Sequence, residues 1–162
     1  MKGTESSHSD PIRSVLVPTD FSEPAGQAAA FAVELAFELS AAVEVVHVTH
    51  PPNMAAAPYA VPLSTDWLLA VRAAAQKQIE EARDELAREG VKIDVFVAEG
   101  SAPEVICERA KATHADLIVM GTHGHTGVKH VLFGSIAERV VRTAPCSVLT
   151  VNPQSASSQE AP

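Results

Sequence analysis

Four times in succession a short run of apolar, largely β-branched residues is followed by a stretch whose apolar residues recur every three or four positions, and a fifth short run closes the series. That alternation constrains the fold more than any other feature of the chain. "SVLV" (14–17) runs into the proline of "PTD", is too short for a helix, and reads as a buried strand. Ser22 then offers an N-cap and Pro24 suits a first helical turn. The alanine-rich segment to Ser40 spaces its larger apolar groups at Phe31, Leu35 and Leu39, one face of a helix. "AVEVVHV" (42–48) is a second buried strand, and the stretch to Ser64, with Pro51, Pro52, Pro58 and Pro62, is a loop or lid. Leu68, Val71, Ala75, Ile79, Ala82 and Leu86 mark a long helix, with Gly90 in a C-cap position. "VKIDVFVAEG" (91–100) is a third strand, and Ser101 and Glu104 have capping-box spacing ahead of a helix to about Thr113. "ADLIVMG" (115–121) is a fourth strand, "SIAERVVRTA" (135–144) a helix, and "CSVLTV" (146–151) a fifth strand.

Such alternation implies parallel strands joined by right-handed helical crossovers, with helices over both faces of the sheet. The expected fold is a doubly wound α/β sandwich of Rossmann-like type, with five parallel strands in the order 3-2-1-4-5. In such sheets ligands bind at the strand ends where the winding reverses, between strands 1 and 4. The two segments meeting there would be "PTD" and "MGTHG". With 162 residues the chain is about one domain long. We read residues 12–152 as that domain, and residues 1–11 and 153–162 as disordered tails.

Twelve Lys and Arg against twenty Asp and Glu give a formal charge of -8, the wrong sign for a protein that wraps nucleic acid or binds an anionic membrane surface. The start of the chain lacks the apolar run of a signal peptide and no segment is long enough to span a bilayer, so a cytoplasmic location is expected by default. Cys107 and Cys146 match no metal or redox spacing, and beside apolar neighbours they read as reduced, buried, inert thiols.

The stretch "VMGTHGHTGVKHVLFGSIAERV" (119–140) admits three readings. Neither the Walker pattern nor the dinucleotide fingerprint fits its spacing. In the first reading, Gly121-x-x-Gly124 lets a ligand approach the backbone after a buried strand, and Gly134-Ser135 opens a helix whose N-terminal N–H groups and dipole suit phosphate. Ser135, Lys129 and His123 could add contacts, and Asp20 at the adjacent strand end could accept from ribose hydroxyls. In the second, the glycines only turn the chain, Ser135 caps its helix and Asp20 caps the first one. In the third, His123, His125 and His130, with His47 and His50, hold a metal, although no carboxylate or cysteine completes a familiar ligand set. His47 reads instead as a hydrogen-bonded core or sheet-edge residue, and His50 and His130 as solvated.

"VPTDFSE", "VVHV", "DLIVMGTHGHTG" and "FGSIAERVVRTAPCSVLTV" together resemble a universal stress protein of the single-domain type, from about Ile12 to Asn152. The spacing Gly121-x2-Gly124-x9-Gly134-Ser135 is similar to that of the family's nucleotide-binding form. The resemblance implies binding of ATP, or of AMP or ADP. Pro18, Thr19 and Asp20 would line adenine and ribose, and the Val48 backbone would meet the adenine edge. Met120 and Gly121 would close the ribose side, with His123, Gly124, Gly134, Ser135 and Ile136 around the phosphates. A magnesium or manganese ion, if present, would be held by the phosphates more than by protein ligands. It also implies a homodimer through the last strand, Cys146 to Val151, whose uncharged apolar edge needs covering.

No residue has a clear claim to activate water, so the expected function is a nucleotide-dependent sensor or regulator of the stress response with an unidentified protein partner. A slow ATPase or phosphotransferase and a nucleotide-free scaffold are the alternatives.

Overall fold

The structure is a computed structural model that describes residues 11–50, 65–122 and 134–152. Expectations placed on the tails, on the proline-rich stretch, and on His123, Gly124, His125, Lys129 and His130 lie outside those residues. The described elements are β1 (Ser14–Thr19), α1 (Glu23–Leu39), β2 (Ala42–Thr49), α2 (Thr65–Glu85), β3 (Ile93–Glu99), α3 (Ala102–Ala112), β4 (Leu117–Gly121), α4 (Ser135–Thr143) and β5 (Ser147–Val151). All strand pairs are parallel, in the order β3-β2-β1-β4-β5 that the alternation predicts.

Because successive strand residues point to opposite faces, each strand feeds two cores. Val15, Val17, Val43, Val45 and Val119 pack beneath α1 and α2, and Leu16, Val46, Ile118 and Met120 beneath α3 and α4. Burying both faces explains why these strands read as continuous apolar runs and not as alternating ones.

Helix α1 packs differently from the reading of its sequence. The face against the sheet is Ala25, Ala28, Ala29, Ala32, Val33 and Ala36, whereas Phe31 and Leu39 are 47% and 40% exposed and Leu35 is only partly buried. Small side chains let the helix backbone lie close to the sheet, so the stripe of least bulk is the core stripe. The helix ends at Ser40, in the left-handed region, and Ala41 N donates back to Ala36 O (2.8 Å) in a Schellman closure.

Four further expectations need correction. In α2 only Ala75 and Ile79 are buried; Leu68 and Val71 are exposed on its first two turns. Gly90 lies beyond the end of α2 and serves the turn into β3, with φ +88° and Val91 N bonded to Arg88 O (3.1 Å). Ser101 has N-cap backbone geometry but makes no side-chain cap bond, and Glu104 pairs with Arg139 (3.0 Å) on α4. What ties α3 to the sheet is Arg109, whose guanidinium meets Glu44 of β2 through two donors and lies 3.7 Å over the Phe96 ring of β3. The hydrogen bonds to Glu44 hold the Arg109 pKa above its ordinary value. Cys107 and Cys146 are free and half-buried, less enclosed than their neighbours suggest.

The alanine stripe is open to a direct test by urea unfolding. Ala32, fully buried against the sheet, should not accept a larger group: Ala32→Leu is expected to cost about 1–3 kcal/mol. Phe31→Ala should change stability by no more than about 0.5 kcal/mol. The opposite ranking would restore the Phe31 face as the core face.

Candidate functional site

The sheet reverses its winding at β1, which has β2 on one side and β4 on the other. The ladder to β2 runs the full length of β1, from Ser14↔Ala42 to Thr19↔His47, but the ladder to β4 holds only Val15↔Leu117 and Leu16↔Ile118. The reason is in the sequence. Ser14 accepts from Asp116 N (2.9 Å), so alternate β1 residues turn their backbone groups toward β4. The next rung, Val17 with Val119, would need an N–H from residue 18. Residue 18 is proline and has none.

On the other side the β2 ladder stops for a different reason. Its continuation would send Phe21 N to the Val48 carbonyl, but Phe21 N donates to Thr19 Oγ1 (3.0 Å) as the chain turns. The Val48 carbonyl is left at the open end of the ladder. Phe21 makes this turn at φ +61°, a left-handed conformation rare for a bulky residue and costing roughly 1–2 kcal/mol. Its ring lies 4.4 Å from that of His47, and His47 Nδ1 is 2.8 Å from Thr19 O. A carbonyl only accepts, so Nδ1 carries the proton. His47 therefore clamps the turn onto β2, and since β2 is an interior strand His47 is not a sheet-edge residue.

Beyond the turn, Ser22 caps α1, its Oγ accepting from Ala25 N (3.4 Å). Its N–H and hydroxyl both donate to Asp20 Oδ1, the former at 3.1 Å. Asp20 thus braces the cap residue and does not itself cap the helix.

Between the parted ends of β1 and β4 lies a cleft of about 310 Å³, within the size range of small-molecule sites. Pro18, Thr19 and Asp20 line it from β1 and the turn, Val46 and Val48 from β2, and Met120, Gly121 and Thr122 from the end of β4. Ala102 and Ile106 of α3 and the start of α4, Gly134 to Ala137, form the facing wall. The apolar lining is the even-numbered face of the strands.

Two helices therefore present their N-termini to the cleft, and neither has a side-chain cap. Gly134 has no side chain to offer and Ser101 makes no such bond. The contrast with the capped α1 is chemical: among the described residues no N-cap side chain takes the first N–H groups of α3 and α4, where the positive ends of the helix dipoles lie. Among the described lining residues the ionisable side chains are Asp20 and the exposed His50, with no Lys or Arg. Thr122 closes the rim, its N–H donating to Val151 O (3.1 Å) and its carbonyl accepting from Gly134 N (2.8 Å). Among the described residues no group of three or more His, Cys, Asp or Glu could hold a metal, and no helix is long and apolar enough to cross a membrane.

Of the residues singled out in the sequence, Pro18, Thr19, Asp20, Val48, Met120, Gly121, Gly134, Ser135 and Ile136 all line this one cleft. The sequence reading misses Ala25, Val46, Ala102, Ile106, Thr122 and Ala137, and considers His50 only as a metal candidate or a solvated side chain. Val46 shares the strand face of Val48 and is legible by its period of two. Ala102 and Ile106 arrive by a crossover from the far edge of the sheet and leave no local signal.

A doubly wound parallel sheet, opened at its switch point and faced by two uncapped helix N-termini, defines an α/β protein of the kind that holds small anionic ligands at strand ends. Comparison with known proteins narrows the class. The chain belongs to the universal stress protein family, whose model matches residues 11–152. A universal stress protein of Methanocaldococcus jannaschii is 34% identical over 142 residues, covering 86% of this chain and 81% of the relative. The solved structure of another from that organism superposes with a TM-score of 0.77 at 26% identity, covering 88% of this chain and 97% of the other. A universal stress protein of Archaeoglobus fulgidus, solved in complex with dAMP, has a TM-score of 0.61 at 22% identity and covers 87% of this chain and 98% of its own. At that identity it speaks for the fold.

If Pro18 is what stops the β1–β4 ladder, Pro18→Ala should add a rung. The new amide at position 18 is expected to show hydrogen-exchange protection comparable to its neighbours in β1. Exchange at the rate of an open loop would mean that the strands part for another reason.

Proposed function

We propose that the chain binds an adenine nucleotide in this cleft and acts as a nucleotide-dependent regulator. The observation that carries the reading is the pairing, across one apolar space, of two kinds of backbone group left open among the described residues. The Val48 carbonyl stands at the open end of the β1–β2 ladder, and the uncapped N–H groups of α3 and α4 stand opposite. A planar base with an exocyclic amino group supplies the donor that Val48 lacks, and phosphate oxygens supply the acceptors that the helix ends lack. Asp20 accepts from ribose hydroxyls, Thr19 and Pro18 flank the base and ribose, and Met120 and Gly121 close the ribose side. Ser135 and Ile136 hold phosphate by their N–H groups, joined by His123 and Gly124. ATP, AMP and ADP share these features, and a magnesium or manganese ion rides on the phosphates. The dAMP complex of the Archaeoglobus fulgidus protein is in keeping with this ligand class.

Binding, and not turnover, is the reading favoured. Hydrolysis needs an oriented water and charge stabilisation at the γ-phosphate, and the one carboxylate among the described lining residues is engaged with Ser22. Regulation then proceeds through a change of shape or partner on nucleotide binding. The working unit is a homodimer joined through β5, which is an edge of the sheet with Leu149 exposed on it.

Calorimetry of nucleotide-stripped protein with ATP, with and without magnesium, tests the binding. Saturable affinity on the order of micromolar is expected, with ITP weaker by about tenfold or more because its carbonyl oxygen faces the Val48 carbonyl. Equal affinity would remove the base from Val48, and absence of both heat and thermal stabilisation by ATP would end the proposal.

Asp20→Ala separates ribose from metal. Loss of roughly tenfold for ATP and AMP alike fits a ribose contact. Loss for ATP alone, with AMP unchanged, would move the carboxylate to a phosphate-bound cation.

A further inference from the structure

His47 does not line the cleft, yet it is bonded to the segment that does. Along β2 the odd-numbered side chains face α1 and α2 and the even-numbered ones, Val46 and Val48, face the cleft, so the imidazole lies on the reverse side of the sheet. From there Nδ1–H donates to Thr19 O (2.8 Å), and the ring meets that of Phe21 at 4.4 Å. Thr19 and Phe21 are the two chain neighbours of Asp20. Both are therefore fastened to one side chain, while Asp20 itself accepts from Ser22 N (3.1 Å) at the start of α1.

The groups that would read base and ribose are held unequally. Val48 remains paired in the sheet beyond the last β1–β2 rung, through Val48↔Ala98 and Thr49↔Glu99 to β3. Asp20 has no such support from its strand: the β1–β4 ladder has ended at Leu16↔Ile118, and Thr19↔His47 is the last rung to β2. Beyond that rung the turn passes through the left-handed Phe21 (φ +61°), a conformation that persists only where its surroundings enforce it. His47 supplies two of those restraints, one on each side of Asp20.

We infer that His47 is a positioning residue for ribose recognition, holding the Asp20 carboxylate in place from behind the sheet while Val48 reads the base without its help. The inference rests on the nucleotide reading above and adds a division to it. Discrimination at the ribose passes through His47, and discrimination at the base does not.

The test is calorimetry of the intact protein with ATP, ITP and dideoxy-ATP, an ATP without its two ribose hydroxyls. Wild type is expected to prefer ATP over dideoxy-ATP by about tenfold. In His47→Leu that preference should vanish through weaker ATP binding, with dideoxy-ATP affinity and the preference over ITP unchanged. Adding Asp20→Ala to His47→Leu should cost nothing further. His47→Asn, which keeps an N–H donor on a short side chain, should restore part of the ribose preference. Equal weakening of ATP and dideoxy-ATP, loss of the ITP preference, or a ribose preference equal to that of wild type would each overturn the inference. Should His47→Leu fail to fold, NMR of the wild-type imidazole nitrogens decides: the His47 signals are expected to shift further with ATP than with dideoxy-ATP, and equal shifts would overturn it. Failure of the nucleotide reading is distinct, since wild type would then bind none of the three.

Discussion

Everything in this molecule hangs on β1, the strand from which the sheet winds away in both directions. It supplies backbone partners to β2 and β4, and its two faces serve as floor to two separate cores. A strand in that position would ordinarily bond to both neighbours along its whole length. Here it lets go of each neighbour by separate means, of β4 midway along the strand and of β2 at its end. Pro18 has no donor for β4, and Phe21 gives its donor to Thr19 and not to β2. The parting is written into the backbone chemistry of three or four residues, and the side-chain lining of the cleft follows from it.

Stability and site draw on the same elements at different points along their length. The end of α3 that carries Arg109 is fixed to the sheet by Glu44 and Phe96, and its beginning forms the cleft wall with its N-terminus uncapped. The left-handed Phe21 is held by Thr19 and the His47 ring, so the local strain is borne by a turn anchored to an interior strand. Strained backbone held in place by its surroundings is common where a site must be ready before its ligand arrives.

Much of the fold was legible because its signals are local. Strand runs, helix periods and the positions of Gly121, Gly134 and Pro18 are properties of short windows, and together with the rules of parallel crossovers they place the cleft between "PTD" and "MGTHG". What was not legible depends on distance or on competition between signals. The three large apolar residues of α1 mark a valid helical face, but the parallel stripe of alanines lies closer to the sheet, and periodicity alone cannot rank bulk against proximity. Ser101 and Glu104 have the spacing of a capping box, yet Arg139 from another helix takes Glu104. Ala102 and Ile106 enter the cleft only because the chain crosses the whole sheet between β3 and β4.

The two backbone hydrogen bonds of Thr122, one to Val151 and one from Gly134, close a neck. Eleven residues, 123–133, leave and return through it. Both bonds are made by main-chain groups, so the neck is fixed to β5 and α4 without calling on any side chain. A change of side chain at Thr122 therefore leaves both bonds standing, and the spacing between the ends of β4, β5 and α4 is inherited with the backbone and not with the residue that occupies it.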